Sequence, residues 1–536
     1  MRRVDGRKAT ALTRGGLTDV LCWVKFKKQQ PVQQCTAELS EVSRGHTTHT
    51  WCTRVGGRAE HRKGPLNLED SRDRQRKQTT SYEGSPQEVG VELQDTAEAL
   101  KPSPASKRER DDTRQEQVAL LERILHKDNL NHAYKRVVSN GGSPGIDGMT
   151  VGELLPYLKT QGEAIRQMLL EGAYRPQPVR RVEIPKPDGG VRQLGIPTVL
   201  DRWVQQAVAQ ILTDVFDPGF SGQSFGFRPG RSAHQAIRAA RGHIEEGFGW
   251  VVDLDIEQFF DRVNHDKLMA LVARKVSDKR VLKLIRAYLE SGVMLGGVKA
   301  KSQEGTPQGG PLSPLLANIY LDELDKELER RGHRFVRYAD DVNIYLRSKK
   351  AAERTLKSIT TFIGRRLKLK VNRTKSAADR PNKRKFLGVS FYKQKGKARN
   401  FIHRKSIARF KAKVREITSR SNGMSMVWRI EKLNRLIIGW VNYFRIADMK
   451  ELARKMDSWI RRRIRMCYWK QWKRIKTKHD NLVTLGIEDR KAWEIANTRK
   501  GYWHTAGSYI LSTSLTNEYL EKIGLISLTK RLSLMC

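Results

Sequence analysis

The stretch FVRYADDVNIYL, residues 335–346, sets two adjacent carboxylates, Asp340 and Asp341, between two runs rich in apolar and β-branched residues. Residues 335–338 and 342–346 each read as a short strand, and Ala339, Asp340 and Asp341 are few enough to form a hairpin tip. Such a hairpin presents both acids at one point. Like charges held together are tolerated either where water screens them or where a cation compensates them. For an isolated Asp-Asp pair an acidic surface turn is the simpler reading, so the rest of the chain has to decide.

A second acidic strand bears on that decision. In GWVVDLDIEQFFDRVNHDKL, residues 249–268, alternation puts Val252, Leu254 and Ile256 on one face and Asp253 and Asp255 on the other. Taken alone, this is equally a solvent-facing acidic edge. Asp255, however, ends its strand directly before a helix-like segment, where a carboxylate and the neighbouring Ile256 carbonyl can share one Mg²⁺. If the hairpin lies beside this strand, Asp255, Asp340 and Asp341 converge. Two bridging Mg²⁺ ions would then activate a hydroxyl and stabilise both oxygens of an in-line phosphoryl displacement.

Charge narrows the partners. The 536 residues carry 102 Lys and Arg against 58 Asp and Glu, a formal net charge of +44 and a pI near 10.3, far beyond what solubility requires. A polyanion is the natural partner. Nucleic acid fits better than membrane, because no apolar run approaches the roughly 20 residues of a spanning helix and the cations are spread along the chain. The opening MRRVDGRKAT lacks the apolar core of a secretory signal, so a cytoplasmic location is expected. Five cysteines, Cys22, Cys35, Cys52, Cys467 and Cys536, with no CxxC pair, indicate neither a disulfide framework nor a zinc ribbon.

Residues 1–112 are polar, lack periodic apolar pattern and end in the breaker KPSPASKRERDD, so they read as disordered or weakly folded. Helical periodicity begins with QVALLERIL. From about 113 to 390 helical segments mix with strands such as VRRVEIP, which predicts an α+β fold. From about 401 the pattern is helical and very basic.

The aspartate of DIEQFF, the YADD hairpin and EGTPQGGPLSPLLANIYLDELD at 304–325 together resemble the palm motifs of a reverse transcriptase. More narrowly, they resemble the protein encoded by bacterial group II introns, in the type lacking an HNH endonuclease domain. The resemblance implies a right-hand polymerase with fingers at 113–248, palm at 249–395, a thumb or maturase domain at 396–475 and a DNA-binding-like region at 476–536. It implies that Asp255, Asp340 and Asp341 are catalytic and hold two Mg²⁺ ions with the Ile256 carbonyl. Phe260 matches the bulky residue that excludes a ribose 2′-hydroxyl, with Phe259 beside it packing in the core.

Further nucleotide contacts are implied along the same motifs. Lys186 and Arg192 flank a PDGG turn from which both could reach a triphosphate. In TPQGGPLSP, Gln308 offers hydrogen bonds while Gly309 and Gly310 permit close approach to template or nucleotide. Lys375, in LKLKVNRTKSA, stands where the family has a lysine near the departing pyrophosphate, a solvated charge run being the competing reading. Arg228, in SFGFRPGRSAHQAI, is expected to touch template backbone. Phe386, Leu387 and Phe391 of RKFLGVSF are expected to be structural.

In the basic third, Ile430, Leu433, Ile437, Trp440 and Phe444 recur at helical spacing and predict an amphipathic helix with an aromatic core face. The next run, DSWIRRRIRMCYWKQWKRIKTK at 457–478, reads as cationic on every face. Arg461, Arg462, Arg463, Arg465, Lys470 and Lys473 are therefore expected on RNA phosphates, and Trp469 and Trp472 are expected to stack on unpaired bases. The function this implies is RNA-directed DNA synthesis joined to assistance of intron splicing and to mobility by target-primed reverse transcription. The expected partners are the group II intron RNA, an RNA template with a DNA primer, target DNA and dNTPs. Two rival readings stay open: a non-enzymatic RNA-binding splicing cofactor, and a domesticated reverse transcriptase used in defence or repair.

Overall fold

The computed structural model describes residues 119–185, 190–295, 298–300, 305 and 309–535. The N-terminal extension read as polar and unpatterned lies outside the described residues. The first described elements are α1 (Leu120–Ile124), α2 (Lys127–Asn140) and α3 (Leu154–Leu170), followed by β1 (Val179–Pro185) and β2 (Val191–Ile196). These strands pair antiparallel, and β4 (Val293–Leu295) and β5 (Val298–Ala300) extend them into a sheet of order β2-β1-β4-β5.

Between β2 and β3 (Trp250–Leu254) run α4 (Val199–Phe216) and α5 (Ala233–Glu245). Both begin on the expected cap chemistry. The Thr198 hydroxyl accepts from the Asp201 N–H at 3.1 Å, and Ser232 and Gln235 form a reciprocal capping box. α4 buries the polar residues Asp201, Arg202, Gln205 and Gln206, and Asp201 accepts from Tyr174, Thr198 and the Gln177 backbone at 2.8, 2.8 and 3.1 Å. Satisfying that carboxylate is what makes its burial tolerable.

After α6 (His265–Ala273) and α7 (Lys279–Glu290) come α8 (Ser313–Arg330), the hairpin of β6 (Arg334–Tyr338) and β7 (Asp341–Leu346), α9 (Lys349–Arg366) and β8 (Ala377–Asp379). The second sheet has the order β6-β7-β3-β8, with every pairing antiparallel. Alternation sorts its two faces between two cores. Val252, Leu254, Phe335, Val342 and Ile344 join the core that includes residues of α4, α8 and α9. Val251, Val336 and Tyr345 join a second core with residues of α5 and the C-terminal helices. The expected three-residue hairpin tip is shorter: Asp341 pairs with Tyr338, leaving only Ala339 and Asp340 as the loop.

The strand pair β9 (Val389–Gln394) and β10 (Lys397–Ile402) closes the mixed region, and Phe386 and Phe391 are buried beside it. Helices follow at once: α10 (Arg404–Ile417), α11 (Met426–Phe444), α12 (Lys450–Gln471), α13 (Ile475–Thr484) and α14 (Asp489–Ala496), then four short ones ending at Ser533. The stripe Ile430, Leu433, Ile437, Trp440 and Phe444 is buried along α11. The reading of the 457–478 run as cationic on every face is corrected, because α12 buries Ile460, Ile464, Cys467 and Trp469. Among the described residues no helix is long and apolar enough to cross a membrane.

Candidate active site

The register of the second sheet sets the site. β3 and β7 pair Asp253 with Asn343 and Leu254 with Val342, so one step further along Asp255 lies across from Asp341. Directly opposed residues of an antiparallel pair point to the same face. Asp255 and Asp341 are thus neighbours at one end of the sheet, with Asp340 in the adjoining loop. Asp341 is exposed, and Asp255 and Asp340 are half-buried.

Asp255 is held from behind by a segment 115 to 121 residues downstream. Its N–H donates to the Ser376 hydroxyl at 2.9 Å, and its carbonyl accepts from the Asn372 N–H at 2.8 Å. Ile256 forms a bridge with Val371, and the Glu257 N–H donates to the Lys370 carbonyl at 2.8 Å. With its main chain so engaged, Asp255 keeps a fixed backbone from which its carboxylate projects. Asn372 and Ser376 escaped sequence reasoning. The available signal was an Asx turn, since the Asn372 side chain accepts from the N–H groups of Thr374 and Lys375 at 3.1 and 3.2 Å. Lys375 is exposed on this turn, next to the serine that holds Asp255.

Asp253, the other acid of the strand, has a different fate. Arg384 donates to one of its oxygens through Nη2 at 2.7 Å and Nε at 3.0 Å. Burial pushes the Asp253 carboxyl above its ordinary value, while Arg384 pulls it down and Asp255 adds to the rise. Phe259 is 3% exposed, whereas Phe260 is half-buried, its ring T-shaped to Phe259 at 5.2 Å. One packs and its neighbour reaches the surface.

No three side chains of His, Cys, Asp and Glu among the described residues converge tightly enough to cage an ion by themselves. Mg²⁺ is usually held by one or two carboxylates completed with water and substrate phosphates. The carboxylates of Asp255, Asp340 and Asp341 are hard oxygen donors, half-buried at Asp255 and Asp340 and exposed at Asp341, and that chemistry suits this mode.

Several expectations change. Gly309, at φ +143°, lets the chain approach itself: a Cβ there would lie 2.4 Å from the Gly195 carbonyl oxygen of β2. A Cβ at Gly310 would lie 2.3 Å from the Gln205 side chain. At these glycines the chain thus approaches other protein segments closely. The expectation for Arg228 is corrected, because its guanidinium is spent on the Asp217 carboxylate at 2.6 Å and on the carbonyls of Ser221, Ser224 and Asp217. It braces its own loop instead of reaching a template. Lys186, Gln308 and the side chain of Arg192 lie outside the described residues.

In the helical third, Trp469 and Trp472 are 2% and 8% exposed and pack with Leu482, Ala492, Leu511 and Leu515. The expectation that they stack on bases is corrected: their faces are already covered. Arg463 donates to the Thr418 hydroxyl and carbonyl at 2.8 and 3.0 Å, Arg465 to the Leu515 carbonyl at 2.9 Å, and Arg462 to the Trp503 carbonyl at 2.9 Å. These three cations are tied to the protein's own backbone. Lys470 and Lys473 are exposed and Arg461 is half-buried.

Residues 184–391, which hold all three aspartates, match the family described as reverse transcriptase (RNA-dependent DNA polymerase). The chain thus carries a reverse transcriptase domain. Residues 407–486 match the group II intron maturase-specific domain. Protein YkfC of Escherichia coli K12 is 38% identical over 218 residues, which cover 40% of this chain and 57% of that protein. Group II intron-encoded protein LtrA of Lactococcus lactis subsp. cremoris is 40% identical over 207 residues, covering 38% of this chain and 34% of that one. An uncharacterized 91 kDa protein in the cob intron of Schizosaccharomyces pombe is 35% identical over 219 residues, 40% of this chain and 26% of its own. The chain spans between about a quarter and just over half of the length of these relatives. With both domains present in series, it is a homologue of the group II intron-encoded proteins.

Proposed function

We propose that this protein is an RNA-directed DNA polymerase that also assists the splicing and mobility of a group II intron RNA. The observation that carries the reading is Asp255 lying across from Asp341, with Asp340 in the adjoining loop, inside a reverse transcriptase domain. In this reading β1 and β2 belong to the fingers, the β6-β7-β3-β8 sheet to the palm and α10 to α12 to the thumb, within the boundaries expected from the sequence.

Asp255, Asp340, Asp341 and the Ile256 carbonyl would hold two Mg²⁺ ions, whose chemistry when bound is to lower the pKa of the primer hydroxyl and to stabilise charge on the attacking and leaving oxygens. The chain's own residues do the positioning. The Asn372–Ser376 turn fixes the Asp255 backbone and presents Lys375 toward the triphosphate side. Phe260 occupies the place where a 2′-hydroxyl would sit. Lys186, Arg192 and Gln308 would bind the incoming dNTP. Arg461, Lys470 and Lys473 supply cations for intron RNA, and the region from 476 onward meets target DNA.

Primer extension on poly(rA)/oligo(dT) with Mg²⁺ tests the reading. Incorporation of dTTP by the wild type and its loss in Asp340→Ala support it; a wild type as silent as the variant overturns it and leaves RNA binding as the function.

A further inference from the structure

The turn that carries Asp340 is strained. Ala339 sits at φ +59°, in the left-handed region that a residue with a side chain rarely occupies unless its surroundings hold it there. Those surroundings are fully buried. The guanidinium of Arg337, two residues upstream, donates through Nη1 to the Ala339 carbonyl at 3.1 Å and to the Asn318 side-chain oxygen at 2.9 Å. Its Nε and Nη2 hold the Asp325 carboxylate at 2.7 and 2.5 Å, and both members of that ion pair are 0% exposed.

The network closes through a second segment. Asn318, 1% exposed on α8, donates to the Gly226 carbonyl at 2.9 Å. Residues 223–225 run beside Arg337: its N–H donates to the Gln223 carbonyl, and its carbonyl accepts from the Phe225 N–H, both at 2.9 Å. Gly226 then abuts the turn itself. A Cβ there would lie 2.2 Å from the Ala339 nitrogen and 2.9 Å from the Tyr338 carbonyl carbon, both main-chain atoms that cannot swing away.

A buried ion pair of this kind is seldom retained for stability, because desolvating two charges consumes most of what their attraction returns. What it supplies is geometry, since a rigid fork with four of its N–H groups engaged leaves the turn one arrangement.

We propose that Arg337, together with Asn318 and Gly226, is a positioning assembly that fixes the strained turn and thereby holds Asp340 and Asp341 against Asp255. The proposal rests on the reading of the three aspartates as a nucleotidyl-transfer centre. It assigns a role to Gly226 of SFGF and to the buried Asn318 of LLANIYLDELD. Misplacing the turn by about an ångström would cost on the order of 100-fold in rate without altering how the template-primer is held.

Gly226→Ala tests this in the full chain, adding one methyl group and no charge. Five quantities are read: single-nucleotide kcat, dNTP KM, template-primer affinity, the Mg²⁺ concentration giving half-maximal rate, and Mn²⁺ binding, followed by electron paramagnetic resonance, in a complex with dNTP on a dideoxy-terminated primer. The result expected is a kcat lower by about 10- to 100-fold, a several-fold weaker Mn²⁺ affinity and Mg²⁺ dependence, and a KM and template-primer affinity within about twofold of wild type. A general packing defect would not separate metal affinity from template-primer affinity in this way. A folded Gly226→Ala with wild-type kcat and Mn²⁺ affinity overturns the proposal. Should that variant not fold, Asn318→Asp, which keeps an acceptor for Arg337 and removes the donor to Gly226, carries the same two outcomes. A wild type that binds Mn²⁺ at the site yet incorporates nothing overturns the polymerase reading instead, and the Gly226→Ala comparison of Mn²⁺ affinity then still decides the positioning claim.

Discussion

Arg384 grips one carboxylate oxygen of Asp253 from two nitrogens, at 2.7 and 3.0 Å, while Asp255, just past the end of the same strand, follows the Leu254–Val342 pair by one step of register, toward Asp341. Alternation puts both acids on one face, yet only the second reaches the site. Asp253→Asn is therefore expected to cost stability, about 1–3 kcal/mol from leaving a largely buried guanidinium without its ionic partner, and to leave primer extension per folded molecule within a few-fold of wild type. Chemical denaturation and active-site titration check this. A stable but inactive Asp253→Asn would move the catalytic assignment.

Much of this site was legible in the sequence, for a physical reason. The hairpin and β3 are local: period-2 alternation and a short turn are written in ten to twelve residues, and the helical stripe of α11 in the fifteen from Ile430 to Phe444. What the sequence could not show depends on partners distant along the chain, 131 residues for Arg384 and Asp253 and 45 to 50 for Arg463 and Arg465. Nothing in DLD distinguishes an acid that meets Arg384 from one that meets solvent. Nor does a string of arginines reveal whether its guanidiniums face phosphates or, as with Arg463 and Arg465, the carbonyls of Thr418 and Leu515.

The tryptophans of α12 give the second prediction. Because Trp469 and Trp472 fill the small core against α13, Trp469→Ala should destabilise the C-terminal helices by about 3–5 kcal/mol, seen as early local unfolding in hydrogen exchange. Exposed Lys470 and Lys473 behave oppositely. Lys470→Gln with Lys473→Gln should leave stability unchanged and flatten the salt dependence of RNA binding, since each phosphate no longer neutralised by a lysine lowers the log–log slope by about one. An unchanged slope would remove them from the RNA interface.

His479 provides a pH signature. Its ring lies between Asp480 at 3.0 Å and Asp489 at 2.8 Å and stacks on Trp493 at 4.0 Å. The hydrogen bond to Asp480, with Asp489 adding to it, raises the imidazole above its ordinary value. A raised folded pKa stabilises fully below the unfolded value of about 6.5 and loses that contribution as pH rises through the folded value. Hydrogen exchange of the amides in α13 and α14 should therefore show the protection difference between wild type and His479→Gln shrinking from pH 6 to pH 8.5. A difference independent of pH would contradict the charged form.

Phe260, half-buried against Phe259, is expected to govern sugar choice. Phe260→Ala should raise GTP incorporation relative to dGTP by about 10- to 200-fold, the range available to a steric pocket, with a smaller effect on dGTP alone. An unchanged ratio would return the ring to a packing role.

The central claim is that the acids opposed across β3 and β7, with the one in the hairpin loop, perform the chemistry. Single-turnover dTTP incorporation on poly(rA)/oligo(dT) with Mg²⁺, compared among wild type, Asp255→Asn, Asp341→Asn and Asp253→Asn at equal template-primer occupancy, measures it directly. The account predicts losses of at least about 10³-fold in the first two variants, the scale of removing a principal electrostatic stabiliser, against near wild-type rates in the third. Equal rates in Asp255→Asn and Asp253→Asn would contradict it.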